Sequence, residues 1–94
     1  MPGVSRIGDI CSGHGPWPPR PIASGSGNVF INGIGAARLG DPLPTHCAVP
    51  GCHPGTVAIG SSTVFVNGLP LARIGDAIDC GSTIAAGSGD VIAN

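Results

Sequence analysis

Two short stretches of β-branched and aromatic residues carry the clearest secondary-structure signal in the chain. Residues 29–31 (VFI) and 64–66 (VFV) each run directly into an Asn-Gly pair, at 32–33 and 67–68. Asn-Gly beside such residues favours a two-residue hairpin turn, because both turn positions need a positive φ angle. Alternation along a strand places the phenylalanine opposite its two aliphatic neighbours, and the pattern leaves open which face is buried. The sequence therefore predicts two β-hairpins.

Each predicted hairpin belongs to a longer repeat. Residues 26–41 and 61–76 are identical at nine of sixteen positions, and both end in Arg-x-Gly-Asp. Residues 88–94 match the beginning of this repeat, and residues 6–9 match its Arg-x-Gly-Asp end. Joining the C-terminus to the N-terminus would therefore restore a third copy in register.

A repeat that is divided between the two chain ends favours a closed ring. An open array would keep its repeats whole and add capping units. We therefore expect a small all-β domain with pseudo-threefold symmetry, built from three hairpin-like repeats, the third formed by the paired N- and C-termini. Two tandem hairpins with unrelated ends are the alternative interpretation.

The composition supports this fold class. The 94 residues include 17 glycines and 10 prolines, which helix interiors do not tolerate, so we expect few or no helices. The prolines between the repeats confine those stretches to turns and extended loops. A chain of this length suffices for one domain, 1–94, whose core is marginal. A domain with so small a core needs an additional cross-link, which is either a bound metal or a disulfide.

Charge is sparse and excludes one class of partner. Four arginines stand against five aspartates, and the net charge is −1. Scattered arginines at this net charge argue against nucleic-acid binding. Because Arg-x-Gly-Asp recurs once in each repeat, we interpret it as structural, with glycine in a positive-φ turn and the charged pair bonding nearby backbone or each other. Three equivalent anion contacts are the alternative.

The N-terminus lacks the apolar run of a secretory signal peptide, and the longest apolar stretches have three or four residues, too few to span a membrane. We therefore expect synthesis in the cytosol. Thiols stay reduced there, so metal binding is the better expectation for the cysteines. Two disulfides are the alternative for a chain with four cysteines.

One metal-binding side chain follows each Arg-x-Gly-Asp element at nearly the same distance. His14 and His46 follow the aspartate of their element by five residues, and Cys80 follows by four. In a threefold ring these three side chains converge near the axis. His53, on the longest insertion, would supply the fourth ligand. A closed set of three histidines and one cysteine is typical of structural zinc, whose binding would stabilise a domain with a thin core.

A rival zinc loop consists of His46-Cys47 and Cys52-His53, with Cys11 and Cys80 then free or linked by a disulfide. Adjacent residues point in different directions, so we prefer one ligand per repeat plus the second histidine of this loop. The two cysteines of the loop are spaced for a disulfide, which would leave Cys11 unpaired. Surface histidines and inert thiols without any metal are the remaining alternative.

No pattern in the chain predicts catalysis. No Ser-His-Asp or Cys-His spacing stands out, and there is no glutamate. A catalytic zinc needs an open coordination position and an acid–base partner, for which Asp79 is the only nearby carboxylate. We therefore expect no enzymatic activity, with a small zinc hydrolase as the alternative.

Two segments resemble a known sequence motif. Gly35-Ala36-Ala37-Arg38 and Pro70-Leu71-Ala72-Arg73 are similar to the proline–alanine–alanine–arginine motif of PAAR-repeat proteins, although Gly35 replaces proline in one and Leu71 replaces alanine in the other. The resemblance covers essentially the whole chain, including the divided repeat and the proposed ligands. It implies a cone-shaped β domain with a zinc ion near the apex.

The resemblance also implies a function. PAAR-repeat proteins cap the trimeric spike of the type VI secretion system, which is made of valine–glycine repeat protein G (VgrG). We expect a zinc-stabilised, non-enzymatic spike tip, monomeric alone, that binds at one copy per VgrG-type trimer, touches the target membrane transiently and attaches separate effectors. It would be made in the bacterial cytoplasm and exported by this system. A free-standing zinc-binding adaptor or chaperone for a secreted effector is the alternative.

Overall fold

The computed structural model describes residues 1–49 and 51–94, and this part of the chain contains six short strands and no helix. The strands are β1 (Phe30–Ile31), β2 (Ile34–Gly35), β3 (Pro42–Ala48), β4 (Gly51–Thr56), β5 (Phe65–Val66) and β6 (Leu69–Pro70). They form three separate antiparallel hairpins, β1–β2, β3–β4 and β5–β6. The predicted small all-β domain is confirmed. Among the described residues, no helix has the length and apolar character needed to cross a membrane.

The β1–β2 and β5–β6 hairpins turn at the two Asn-Gly pairs. Asn32 and Asn67 both have a φ of 54°, and the glycines that follow have a φ of 78°, as this turn requires. Phe30 and Phe65 are 57% and 56% exposed. The face that the sequence left undecided is thus settled, because Val29, Ile31 and Val66 pack inward and the phenylalanines face outward.

A triangle of backbone hydrogen bonds joins the three repeats. The amide of Ala37 donates to Ser5 O at 3.0 Å, and the amide of Ala72 donates to Ala37 O at 2.9 Å. The amide of Ser5 donates to Ala72 O at 2.9 Å and closes the triangle. These residues precede the arginine of their own Arg-x-Gly-Asp element. Each repeat therefore contacts both others through equivalent atoms, as the predicted closed ring requires.

The chain ends complete the third repeat. The amide of Val4 donates to Val91 O at 2.9 Å, and the amide of Ala93 donates to Pro2 O at 3.1 Å. Ser88 Oγ accepts bonds from the amides two and three residues later, as the serines that begin the other two repeats do. The third repeat predicted from the divided sequence is confirmed.

Each Arg-x-Gly-Asp element forms a closed local turn. Its arginine bonds the aspartate three residues later, and the aspartate also accepts the backbone amide of the arginine. The ion pairs are Arg6–Asp9, Arg38–Asp41 and Arg73–Asp76, at 2.8 to 2.9 Å. The intervening glycines have φ between 89° and 93°. These bonds agree with the structural interpretation of the element.

The described residues form two apolar clusters along the molecule, whose principal extents are 37 × 24 × 21 Å. One lies beside the Asn-Gly hairpins and contains Val4, Ala36, Val66, Leu71 and Ala93. The other lies beside the longer hairpin and contains Cys11, Ile22, Ala37, Leu43, Val57, Ala72, Ile78 and Ile84. Most of these side chains are small, so each cluster excludes water without a large aromatic residue.

The chain path gives the molecule two different ends. After β2 the chain passes the ring, turns at the Arg-x-Gly-Asp element and continues as β3, away from the Asn-Gly turns. We call the two Asn-Gly hairpins together with the paired chain ends (2–4 and 91–93) the hairpin end. We call β3, β4 and the loops 10–21 and 77–84 the histidine end, because all three histidines lie on these segments.

Candidate metal centre

Four side chains of the histidine end lie close together. The potential ligand atoms of His14, His46, His53 and Cys80 all lie within 4.8 Å of one another. These are the four residues that the sequence singled out. His46 is buried, and the other three side chains are partly buried.

The local backbone of each repeat positions one of these side chains. His14 lies in a tight turn in which its amide and carbonyl both pair with Trp17, at 3.1 and 2.9 Å. Cys80 lies in a turn between Ile78 and Ser82. The amide of Gly81 donates to Ile78 O at 3.1 Å, and the amide of Ile78 donates to Ser82 O at 2.8 Å. The longest of the three excursions is the β3–β4 hairpin, which supplies the remaining two side chains.

His46 and His53 are directly opposite each other in the β3–β4 hairpin. The pairing shifts register between Leu43 and His46, at a point where prolines interrupt the ladder of strand hydrogen bonds. Directly opposite residues of an antiparallel pair share one face of the sheet. Both imidazoles therefore reach the space that His14 enters from the neighbouring loop.

The hydrogen bonds of the histidines leave lone pairs pointing at one another. His46 Nδ1 lies 2.9 Å from Pro18 O, and because a carbonyl only accepts, this nitrogen carries a proton, which in the neutral imidazole leaves Nε2 as an acceptor. Nε2 of His53 lies 2.7 Å from Nε2 of His46 and 2.9 Å from Nε2 of His14. A single proton on His53 can satisfy only one of these contacts. A cation between the three nitrogens would satisfy all of them, so the donor set fits a metal ion.

The surroundings of His53 favour its neutral form. Burial, followed by the nearby His46, His14 and Arg20, holds the pKa of His53 below its ordinary value, although Asp79 acts in the opposite direction. Metal ions bind the neutral imidazole. Electrostatics and geometry thus both suit a ligand.

Trp17, the only tryptophan of the chain, covers one side of the cluster. Its ring stacks on His14 with centroids 5.1 Å apart and an interplanar angle of 21°. It also lies 4.9 Å from the ring of His53, and its Nε1 donates to Gly51 O at 2.9 Å. The indole therefore ties the loop of His14 to the start of β4.

The remaining cysteines do not join the cluster. Cys47 and Cys52 pair across the β3–β4 hairpin and form a disulfide with Cα atoms 4.1 Å apart. The structure thus has the disulfide that their spacing allowed, and it disagrees with the rival zinc loop. Cys11 is a free, buried thiol in the apolar cluster of the histidine end. Asp79 uses its carboxylate to accept two hydrogen bonds from Thr56, at 3.0 Å each.

Two residues beside the cluster escaped the sequence reasoning. Arg20 donates from Nη2 to Cys80 Sγ at 3.1 Å, and Trp17 stacks on His14. The sequence contained a feature that could have drawn attention to each of them. Arg20 is the one arginine outside an Arg-x-Gly-Asp element, and Trp17 is the only large aromatic residue near a histidine in the sequence.

Comparison with known proteins agrees with this arrangement. A search among curated proteins gave no significant match. The model of the PAAR motif family matches residues 12–86, which is 75 of the 94 residues. The matched range contains both uninterrupted repeats and all four clustered side chains. The chain therefore belongs to the PAAR motif family.

Proposed function

We propose that residues 1–94 act as one unit that caps the end of a trimeric VgrG-type spike of a type VI secretion system. The observation that carries this proposal is the closed triangle of backbone bonds between Ser5, Ala37 and Ala72. It gives one chain three equivalent sides. A single copy can thus present the same contact to each subunit of a threefold partner, as one protein per trimer requires.

The hairpin end offers a surface for this contact. Phe30, Phe65 and Ile92 occupy the same position in the three repeats and are 57%, 56% and 53% exposed. Three exposed apolar side chains on a 94-residue domain are a poor fit to water and a good fit to an apolar partner surface. The two-residue strands beside them also leave backbone groups for pairing with the open strand edges of a spike.

We further propose that His14, His46, His53 and Cys80 hold a structural zinc ion. Three imidazoles and one thiolate form a closed four-ligand set, which is typical of structural rather than catalytic zinc. The ion would join the loops of all three repeats at the end of the molecule where the apolar cluster stops. The chain's own residues would orient the ligands, with Pro18 O fixing the proton on His46 Nδ1.

The remaining parts of the proposal follow from the family. The protein would be monomeric alone, would be exported from the bacterial cytoplasm with the spike, and would enter the target membrane histidine end first. Separate effectors would travel attached to it. Family members are structural proteins, and we propose no catalytic step for this chain.

Mixing the protein with a purified spike trimer tests the proposal. Light scattering after size exclusion should give one copy per trimer. Replacing Phe30 and Phe65 by serine should abolish the complex, since losing one buried aromatic anchor typically costs about 2 kcal/mol or more. Val49→Ser is the matched control, because Val49 is 90% exposed and directly follows β3, away from the hairpin end. Three copies per trimer, no complex, or equal loss with Val49→Ser would contradict the proposal, and binding to an effector alone would favour an adaptor.

A further inference from the structure

Arg20 differs from every other arginine in the chain. The other three form ion pairs with an aspartate of their own turn. Arg20 is only 3% exposed, and within residues 1–49 and 51–94 no carboxylate lies within ion-pair distance of it. A buried guanidinium without an anionic partner is strongly destabilising. The structure must therefore compensate its charge in another way.

The guanidinium of Arg20 is held between the strands and loops of the histidine end. Nη1 donates to Pro44 O and, at 3.1 Å, to His53 O. Nη2 donates to Cys80 Sγ at 3.1 Å. Nε is buried and has no hydrogen-bond partner among the residues that the structure describes. The guanidinium thus contacts β3, β4 and the Cys80 turn at once.

The space for this side chain is built into the fold. Gly55 lies against the guanidinium, and a Cβ at that position would collide with Arg20 Nη2. The backbone of Arg20 is fixed independently, because its carbonyl accepts the amide of Cys11 at 2.9 Å. A substitution of the side chain therefore leaves the local backbone pairing in place.

We propose that Arg20 is the positioning residue of the metal centre, which holds the Cys80 sulfur as the fourth ligand by a hydrogen bond from Nη2. The inference rests on the proposed metal site and adds the group that organises it. The anion that compensates Arg20 is then the metal-bound thiolate. The bonds to Pro44 O and His53 O join the cysteine to the strands that carry His46 and His53.

The hydrogen bond should alter the electronic properties of the sulfur. A donor to a metal-bound thiolate withdraws charge from it, as hydrogen bonds to cluster sulfurs do in other metal sites. Loss of the donor raises the energy of the sulfur electrons. In cobalt-loaded protein the sulfur-to-cobalt charge-transfer band should therefore move to lower energy. A role in packing alone would not move this band.

Cobalt titration of the wild-type protein and three variants tests the inference, with absorption and Trp17 fluorescence as readouts. Arg20→Gln should weaken cobalt binding by about 10- to 100-fold, as expected for loss of a group that orients a ligand, and should shift the charge-transfer band to lower energy. Arg20→Lys, which keeps the charge without the fork of donors, should recover part of both. Arg38→Gln loses an ion pair that involves none of the four ligands and should change neither affinity nor band.

The outcomes separate the two proposals. Wild-type protein that binds no cobalt, or binds it without a sulfur band, overturns the metal site together with this inference. Normal cobalt binding with an unchanged band in Arg20→Gln overturns the inference alone. If Arg20→Gln does not fold, cadmium-113 replaces cobalt in the wild-type protein. Scalar coupling from cadmium to a resolved Arg20 guanidinium proton then supports the inference, and a resolved proton without coupling overturns it.

Discussion

At the hairpin end the three repeats share their serine-capped turns and inter-repeat bonds, whereas at the histidine end they contribute unequal ligands: His14 from one, His46 and His53 from the next, and Cys80 from the last. The serine-capped turns and inter-repeat ladders of the hairpin end recur three times over. The histidine end has one cluster of four ligand atoms, which lie on three segments of different length. We expect the first end to be more tolerant of a single change, because its turns and caps are repeated. Convergence makes the second end sensitive to any single loss.

The largest effect should follow the loss of one clustered ligand. Structural zinc contributes about 10–16 kcal/mol of apparent binding free energy in small zinc domains. If Cys80→Ala removes a quarter of this, stability falls by about 3 kcal/mol, and the melting temperature by about 12 °C or more. Calorimetry and metal analysis on protein purified without a nickel column should show both losses together.

Cys11→Ala is the matched control for this variant. Cys11 is also a free cysteine, and it packs in the apolar cluster of the same end but lies outside the group of four ligands. It should lose some stability while keeping its metal. An unchanged melting temperature in Cys80→Ala that has lost its metal would refute a structural role for the site.

At the hairpin end a single substitution should lower the free energy of unfolding by less and should leave the metal bound. Asn67 sits at a φ of 54°, accepts a bond from Arg38 and donates one to Asn28, at 2.9 and 2.8 Å. Asn67→Ala forces alanine into the left-handed region at about 1–2 kcal/mol. The melting temperature should fall by about 4–16 °C, with the metal content unchanged.

Asn67→Gly separates the two causes of this loss. Glycine accepts the positive φ without strain and loses only the amide contacts. The glycine variant should therefore melt between the alanine variant and the wild type. Metal loss from either variant would show that the two ends are coupled, against the comparison drawn above.

The fold could be predicted from sequence because the hairpin end is encoded locally. The Asn-Gly and Arg-x-Gly-Asp turns are patterns of adjacent residues, and the structure forms the first in two repeats and the second in all three. The divided repeat could be recognised because each of its halves matches the other two copies. The burial of the strand faces was not predictable. Both faces are apolar, and only the position of the other repeats decides that Phe30 and Phe65 face outward.

The candidate metal centre could be predicted in part. Ring closure brings equivalent points of the repeats together, so the convergence of His14, His46 and Cys80 followed from their spacing. The contact of Arg20 with Cys80 joins residues 60 positions apart, and no repeat relates them. The β3–β4 register shift was also hidden, because it arises between Leu43 and His46 where prolines interrupt the pairing. The contacts that could not be predicted are therefore those that depend on the unequal loops between the repeats.

The smallest effect concerns a charge at the junction of the chain ends. Asp90 Oδ1 accepts bonds from Asn32 Nδ2 at 2.9 Å and Ser88 Oγ at 2.8 Å. Asn28 holds the equivalent place in the first repeat, where its Oδ1 accepts from Asn67 Nδ2 and Ser26 Oγ at 2.8 and 3.0 Å. The two sites therefore differ by a charge and share these two hydrogen bonds.

The hydrogen bonds from Asn32 and Ser88 hold the pKa of Asp90 below its ordinary value. With the folded pKa below the unfolded one, the carboxylate stabilises the fold above the unfolded pKa, and this stabilisation is lost as the pH falls through the folded pKa. Asp90→Asn should thus melt slightly below the wild type at pH 6. The difference should persist down to about pH 4, and it should vanish only as the pH falls further, through the folded pKa of Asp90. Melting curves across this range measure it, and Asn28→Asp should show the reverse dependence if the repeats are interchangeable. A difference that persists unchanged to low pH would mean that the divided repeat is held by packing of the chain ends and draws nothing from this charge.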